Sequence, residues 1–454
     1  MGTESRKKKF YIENLGCAKN FVDGESLTGR LLEEGWEVVE TPQEAEYLLV
    51  NTCGFIEPAK EESINITLEF RKRFPSKKIL LTGCLSQRYG SELFHHLPEV
   101  DGVFGNRDLS KIVEVVQRIE AGERGLLIPQ RFGPSPTRPV RATSPGSTYI
   151  KIAEGCRNRC SYCAIPLIRG DLRSRPEGEI LEEIRTFLQI GIREFNLIAQ
   201  DLGSYGRDRN VEEGLVSLLR GIQKLPGKFW IRLLYIHPER FPMAVLELCR
   251  EDSRFLPYFD LPFQHASTKI LQAMGRSKDG KENLKLIETI RSTLPDAVLR
   301  STVLVGFPGE TGEDFEELLR FQEAAAFDWL GAFVYSREEG TPAAELDRKR
   351  SLHVKRSVAL SRKRTIEEVQ LGITAQRLDR FVGKKLEVLV EERVEGEGLA
   401  LGRGYLHAPE VDGLVVIHDG KVVPGQTIPV QVIRRNGIDL EAIPLEKEAV
   451  HGQG

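Results

Sequence analysis

Cys156-Arg157-Asn158-Arg159-Cys160-Ser161-Tyr162-Cys163 is a C-x3-C-x2-C run that follows a short apolar stretch, Tyr149 to Ala153. Three thiolates this close share an inorganic centre, because soft sulfur ligands select zinc or iron–sulfur clusters. A closed structural zinc site wants a fourth nitrogen or sulfur ligand. No His lies between Tyr149 and Arg232, and Cys249 is the only later cysteine. A four-iron cluster held by three cysteine thiolates leaves one iron open, where a small molecule can bind. A zinc knuckle or a buried group of thiols is the plainer alternative.

Three more cysteines end apolar runs of one shape: Phe10 to Cys17, Glu46 to Cys53 and Lys77 to Cys84. Helical patterns lie between them, at Glu25 to Gly35 and Pro58 to Phe74. Strand–helix alternation implies a parallel sheet with helices on its faces. Ligands of such sheets sit beyond the carboxyl ends of the strands. All three cysteines are thus expected on one edge. A single buried Cys is ordinarily packing; three at equivalent strand ends point to a second metal-cluster site.

The elements that must position the C-x3-C-x2-C run come next. Phe132 to Ser147 is dense in Pro, Gly and Ser and reads as a linker. Strands are expected at Tyr149–Ala153, Glu194–Ile198, Phe229–Tyr235, Tyr258–Leu261, Ala297–Val303 and Leu330–Val334, with helices such as Pro176–Gln189 and Lys281–Ser292 between them. About six βα units fit an open or partial barrel, whose chemistry lies at the carboxyl ends of its strands. Gln200, Asp201, His237, Gln264, His265, Gly306 and Gly309 fall at those ends and are candidates for holding a cofactor. The glycines would let backbone approach a ligand closely. Each also has a plain reading as a loop or cap residue, and Thr311 reads as a helix start beside Glu310.

Asp347 to about Phe381 is a long charged helical pattern whose basic residues read as a solvated face. Short strands at Lys385–Glu391, Gly413–Ile417 and Ile428–Ile433 then suggest a small β-barrel. From Lys384 to Glu441, seven basic residues stand against ten acidic ones, a balance of −3. A barrel that gripped nucleic acid should be basic, since phosphate contacts dominate that affinity. An acidic one suits a basic protein partner.

The 454 residues predict two to four domains at roughly 100–200 residues each. No apolar run reaches the ~18 residues of a membrane helix. The stretch Met1 to Lys9 is too polar for a secretion signal, and Arg6 breaks the myristoylation pattern. Seven widely spaced cysteines argue against a secreted disulfide framework, so a reducing, cytoplasmic setting without membrane is expected. A net charge of −3 gives no global sign of nucleic-acid binding.

Cys156, Cys160, Tyr162 and Cys163 resemble the cluster motif of the radical S-adenosylmethionine enzymes, where an aromatic residue before the third cysteine fits beside a bound adenine. With the strand-end cysteines and the terminal barrel, nearly the whole chain resembles the methylthiotransferases. Gly16-Cys-Ala-Lys-Asn20, Asn51-Thr-Cys-Gly-Phe-Ile56, Arg169-Gly-Asp-Leu172 and Ala408-Pro-Glu-Val-Asp-Gly413 are similar to the RimO branch, although Ala18 replaces its usual proline. The resemblance implies an α/β multidomain chain: a flavodoxin-like, cluster-binding domain at 8–131, a radical S-adenosylmethionine core forming a partial (βα)6 barrel at 142–378, and a TRAM β-barrel at 379–446. It implies two 4Fe-4S clusters, one on Cys17, Cys53 and Cys84 and one on Cys156, Cys160 and Cys163. It further implies two S-adenosylmethionine molecules per turnover, and separate electron and sulfur donors. The expected substrate is an aspartate β-carbon in ribosomal protein uS12, free or on the ribosome, with tRNA not expected as partner. The rivals are a MiaB-like tRNA methylthiotransferase and a non-catalytic iron–sulfur protein that binds the ribosome.

Overall fold

The apolar run Tyr47–Thr52 is buried at every residue, as expected of a strand inside a parallel sheet covered on both faces. Leu48, Leu49 and Val50 are each wholly buried, a contribution of about 1.5–3 kcal/mol per side chain. The computed structural model describes residues 7–134, 138–139 and 144–445. Position 446, the expected domain start at 142, much of the expected linker and residues 1–6 lie outside the described residues.

The N-terminal sheet contains β1 (Lys9–Asn14), β2 (Glu37–Val38), β3 (Tyr47–Thr52), β4 (Lys78–Gly83), β5 (Gly102–Phe104) and β6 (Gly125–Leu127), all parallel, in the order β2-β1-β3-β4-β5-β6. This is the flavodoxin-like winding with one strand added. Helices α1 (Ala18–Glu33), α2 (Glu57–Arg73), α3 (Cys84–His96) and α4 (Ile112–Glu120) cover it. α1 begins seven residues before the expected Glu25, immediately after Cys17.

The second sheet has six parallel strands in plain sequence order: β7 (Ser147–Lys151), β10 (Glu194–Ile198), β11 (Trp230–Leu233), β12 (Phe255–Asp260), β13 (Val298–Val305) and β14 (Trp329–Val334). It stays open, as a partial barrel. Between β7 and β10 the chain makes a two-stranded antiparallel ladder, β8 (Ala153–Glu154) with β9 (Arg173–Ser174). That ladder closes a loop containing the C-x3-C-x2-C run and the short helix α5 (Ile165–Arg169). The apolar run expected as one strand to Ala153 is thus β7 followed by the start of β8.

The C-terminal strands β15 (Lys385–Val394), β16 (Leu399–Arg403), β17 (Val415–Ile417), β18 (Thr427–Asn436) and β19 (Asp439–Pro444) form a closed barrel. A buried ionic knot ties it to the second sheet. Glu194 on β10 accepts from Arg232 Nε and Nη2 at 3.0 and 2.9 Å and from Arg403 Nη1 and Nη2 at 3.1 and 2.6 Å. Arg232 Nη1 also donates to the Tyr405 carbonyl at 2.6 Å, and Trp329 Nε1 to that of Leu406 at 2.7 Å.

The charged helix Arg356–Asp379 is not merely a solvated face. Ala359, Ile366, Gln370, Thr374 and Leu378 are buried along it. Arg377 pairs with Asp328 at 3.0 Å, Arg380 joins the same carboxylate, and Arg362 pairs with Glu310 at 2.9 Å. By compactness the chain divides into two units. The first joins the N-terminal sheet with Ala153–Arg175 and Ser336–Glu345; the second joins Pro176–Tyr335, the strand β7 and the residues from Leu346 onward.

Candidate cluster-binding site

Cys17 follows β1, Cys53 follows β3 and Cys84 follows β4. The first two flank the position where the strand order reverses, which is where doubly wound sheets bind ligands. Local chemistry sets each thiol. Cys17 is the cap residue of α1 and Cys84 the first residue of α3, so both lie at helix N-termini, where partial positive charge favours a thiolate. Gly16, at φ +91°, sits under Cys53: a Cβ there would lie 2.8 Å from Cys53 Cβ and 3.0 Å from its sulfur.

Buried amides hold the loops in register. Asn20 Nδ2 donates to the carbonyls of Leu15 at 2.7 Å and Asn51 at 2.9 Å, while Asn51 Nδ2 donates to Asn14 Oδ1 and to the Asn20 carbonyl. Ser63 on α2 accepts from the Cys53 N–H at 3.1 Å. The three sulfurs share one electrostatic neighbourhood. Burial pushes the Cys84 thiol up to about 12, against the pull of Arg169, and Cys17 and Cys53 add to the rise. Burial likewise raises Cys53. Cys17 is exposed at its surface, and although crowding by neighbouring groups works upward, Lys19, Arg169 and the Asn20 N–H hold its thiol below its ordinary value.

The second triad lies in the loop closed by β8 and β9. Its backbone is fixed by Cys156 N–H to the Gly170 carbonyl and Cys163 N–H to the Cys160 carbonyl, both 3.1 Å, and by Ala343 N–H to the Ser161 carbonyl at 2.9 Å. Gly155, at φ +73°, lets the chain turn where a Cβ would lie 2.0 Å from the Asp171 carbonyl oxygen. Cys156, Cys160, Tyr162 and Cys163 are all half-buried. The donor chemistry of both triads, thiolate only, fits iron–sulfur clusters. Among the described residues no three His, Cys, Asp or Glu side chains converge on a point suited to one metal ion; a four-iron cube spreads its thiolates over separate irons. Cys249 stands apart, its thiol raised to about 12 by burial.

The other expected residues fall at carboxyl ends of the second sheet. Asp201 Oδ1 accepts from the N–H groups of Gly203 and His237, both at 3.0 Å, so it binds two neighbouring strand ends together. His237 Nδ1 accepts from Glu239 N–H, and burial, with the Arg276 charge, pushes the ring down to about 4. It is neutral near pH 7. Gln264, at φ +70°, bridges to β13 through Thr302 and Leu304. His265 is wholly buried and lowered to about 3 by desolvation. Gly306 lies against Ala359, where a Cβ would sit 2.4 Å from that methyl, and Gly309 N–H donates to Leu352 at 2.7 Å. Gln200 is half-buried just beyond β10.

Sequence reasoning missed Arg169, which closes α5 and is 2% exposed. Its Nη2 donates to Cys84 Sγ at 3.1 Å, and its Nη1 meets Asp23 and Glu154, each at 2.9 Å. The signal was present in Arg169-Gly-Asp-Leu172, noted for resemblance but not for its charge. Asn20, Asp23 and Glu154 were missed for the same reason: each looks like an ordinary loop or helix polar residue.

Comparison with known proteins agrees with this architecture. The family described as Uncharacterized protein family UPF0004 matches residues 9–105, the Radical SAM superfamily 150–321 and the TRAM domain 382–444. TsrM, a radical S-adenosylmethionine methyltransferase from Kitasatospora setae, shares the fold with a TM-score of 0.55 at 16% identity over 75% of each chain. OxsB, a cobalamin-dependent S-adenosylmethionine radical enzyme, has a TM-score of 0.50 at 12% identity, over 80% of this chain and 56% of its own. Fold and sites together define a radical S-adenosylmethionine transferase of the methylthiotransferase class. Ribosomal protein uS12 methylthiotransferase RimO of Treponema denticola is 44% identical over 94% of this chain and 99% of its own length, and that of Syntrophomonas wolfei is 42% identical over 94% and 98%. The chain belongs to the RimO family.

Proposed function

We propose that this chain adds a methylthio group to the β-carbon of an aspartate in ribosomal protein uS12, with one four-iron cluster on Cys17, Cys53 and Cys84 and another on Cys156, Cys160 and Cys163. The observation that carries the reading is that three thiols end parallel strands of one sheet, while Arg169, a residue of the very loop that bears the second triad, donates to one of them, Cys84 Sγ, at 3.1 Å. When bound, the clusters and two molecules of S-adenosylmethionine supply hydrogen-atom abstraction from an unactivated carbon, a place to present donor-derived sulfur, and a methyl group, chemistry beyond any side-chain base. The chain's own part is to bind, orient and exclude water. Tyr162 would flank the adenine, and neutral His237 with Gln200, Asp201 and Gln264 would supply hydrogen bonds to S-adenosylmethionine. Gly306 and Gly309, both at positive φ, would belong to the same set. Electrons and sulfur come from separate donors, and the work is cytoplasmic; among the described residues no helix is long and apolar enough to cross a membrane. We assign the cluster-binding domain to 8–131, the core to 142–378 and the TRAM barrel to 379–446.

Mass spectrometry of uS12 and tRNA from cells lacking the gene tests the reaction. The methylthio group is expected to vanish from uS12 and to persist on tRNA adenosines; the reverse pattern would overturn the reading.

The acidic barrel supports a basic protein partner, and the structure narrows the acidic residues that can be tested. Glu391 accepts from Arg403 Nε at 2.8 Å and belongs to the buried knot, whereas Glu392, Glu395 and Glu397 are exposed. Replacing those three with Lys is expected to slow association with uS12 roughly tenfold at low salt, with S-adenosylmethionine cleavage unchanged. Binding measured against salt decides it: unaltered uS12 association with tighter tRNA binding would favour an RNA substrate.

A further inference from the structure

Arg169 is placed as few arginines are. Its side chain is almost completely buried, yet it faces a sulfur as well as carboxylates. Nη2 lies 3.1 Å from Cys84 Sγ and 3.5 Å from Asn20 Oδ1; Nη1 lies 3.0 and 2.9 Å from the two oxygens of Glu154 and 2.9 Å from Asp23 Oδ2. Two carboxylates would satisfy a buried guanidinium without any sulfur. A cation hydrogen-bonded to a cysteine whose thiolate is to carry a cluster does something further: it offsets negative charge on that cluster. The helix bearing Arg169 is itself clamped. Arg107 donates to the carbonyls of Ile168 at 3.1 Å and Leu167 at 2.9 Å, and Ala164 and Ile168 form a buried apolar cluster with Cys84. Arg169 thus has little freedom to leave the sulfur, and the segment after Cys163 is seated on the residue after β4.

We propose that Arg169 is a positioning residue that raises the reduction potential of the cluster on Cys17, Cys53 and Cys84 by its charge and its hydrogen bond to Cys84. The proposal rests on the two-cluster reading above. Cluster potentials depend on net charge and on hydrogen bonds to the sulfurs, and the groups around metal ligands orient and tune them. Glu154 and Asp23 work in the opposite direction, holding part of the guanidinium charge away from the sulfur.

The test uses full-length protein carrying Cys156→Ala, Cys160→Ala and Cys163→Ala, reconstituted with iron and sulfide so that only the first triad can hold a cluster. Its midpoint potential is read by electron paramagnetic resonance during redox titration. Arg169→Gln is expected to lower the reduced-to-oxidised ratio at fixed potential about tenfold, about 59 mV for one electron. Arg169→Lys should recover part of the shift, since it keeps the charge and loses the planar fork. Glu154→Gln should move the potential upward. An unchanged potential in Arg169→Gln at full iron content overturns the proposal. If that variant does not fold or take up iron, Glu154→Gln decides alone, and an unchanged or lowered potential there overturns it. A parent protein that takes up no iron at all sinks the two-cluster reading, and the proposal with it.

Discussion

Reconstituted protein with Cys160→Ala is expected to release no 5′-deoxyadenosine from S-adenosylmethionine and to hold about four irons per chain instead of about eight. The substitution removes a ligand and little else. Cys160 shapes its loop through its backbone carbonyl, which accepts from the Cys163 N–H, and the neighbouring tie from Cys156 to Gly170 is also main-chain. The loop keeps its form while a cluster left with two protein thiolates is lost or scrambled. Cys53→Ala is expected to behave differently. It removes a ligand at the other triad, so S-adenosylmethionine cleavage should survive largely intact while methylthiolation stops. Chromatography of 5′-deoxyadenosine beside mass spectrometry of uS12 separates the two. Normal cleavage by Cys160→Ala, or equal loss of both activities in Cys53→Ala with the other cluster still visible spectroscopically, would defeat the division of roles.

The largest effect on stability is expected at Glu194. This carboxylate is wholly buried and serves two guanidiniums and the Ser147 hydroxyl. Replacing it with Ala would leave Arg232 and Arg403 buried without their shared counter-charge. Removing one partner of a buried ionic group costs roughly 3–5 kcal/mol, and the loss should fall on the attachment of the TRAM barrel. Denaturant unfolding followed by circular dichroism would reveal it; a change under about 1 kcal/mol would mean the knot relaxes into water. The same group gives a pH signature. Burial works to raise its pKa, but Arg403 and then Arg232 outweigh it and hold the carboxyl down at about 2, from an ordinary 4.5. The folded value lies below the unfolded one, so the stabilisation is complete above 4.5 and disappears as pH falls through about 2. Glu194→Gln should flatten the loss of stability over that window.

The sheets were legible because their strands are apolar runs in a regular alternation with helices. Tyr47–Thr52 and Glu194–Ile198 could hardly be read otherwise. The three strand-end cysteines were legible for a related reason: parallel winding alone puts the residues after β1, β3 and β4 on one edge. What sequence could not supply was pairing between distant polar residues. Glu194 looked like the polar start of a strand and Arg403 like one positive charge in a barrel tally, but together they form the knot. Counting charges likewise left Glu391 among the free acids, when it is engaged with Arg403. Arg169 was hidden because nothing local distinguishes a buried arginine from a surface one. Short pairings such as β8 with β9 carry too few residues to show a period.

The ladder of β8 and β9 bears on how the molecule can be divided. The N-terminal sheet looks like a detachable cassette ending near residue 131, since its strands and hydrophobic core are complete by then. By compactness Ala153–Arg175 and Ser336–Glu345 join it as well. A fragment cut at 131 would keep Cys17, Cys53 and Cys84 but lose Ala164, Ile168 and Arg169, uncovering the apolar surface around Cys84 and leaving Asp23 without its buried counter-ion. Grafts between relatives should therefore carry the hairpin-closed segment together with the sheet, so that the hereditary module is discontinuous in the gene although continuous in space.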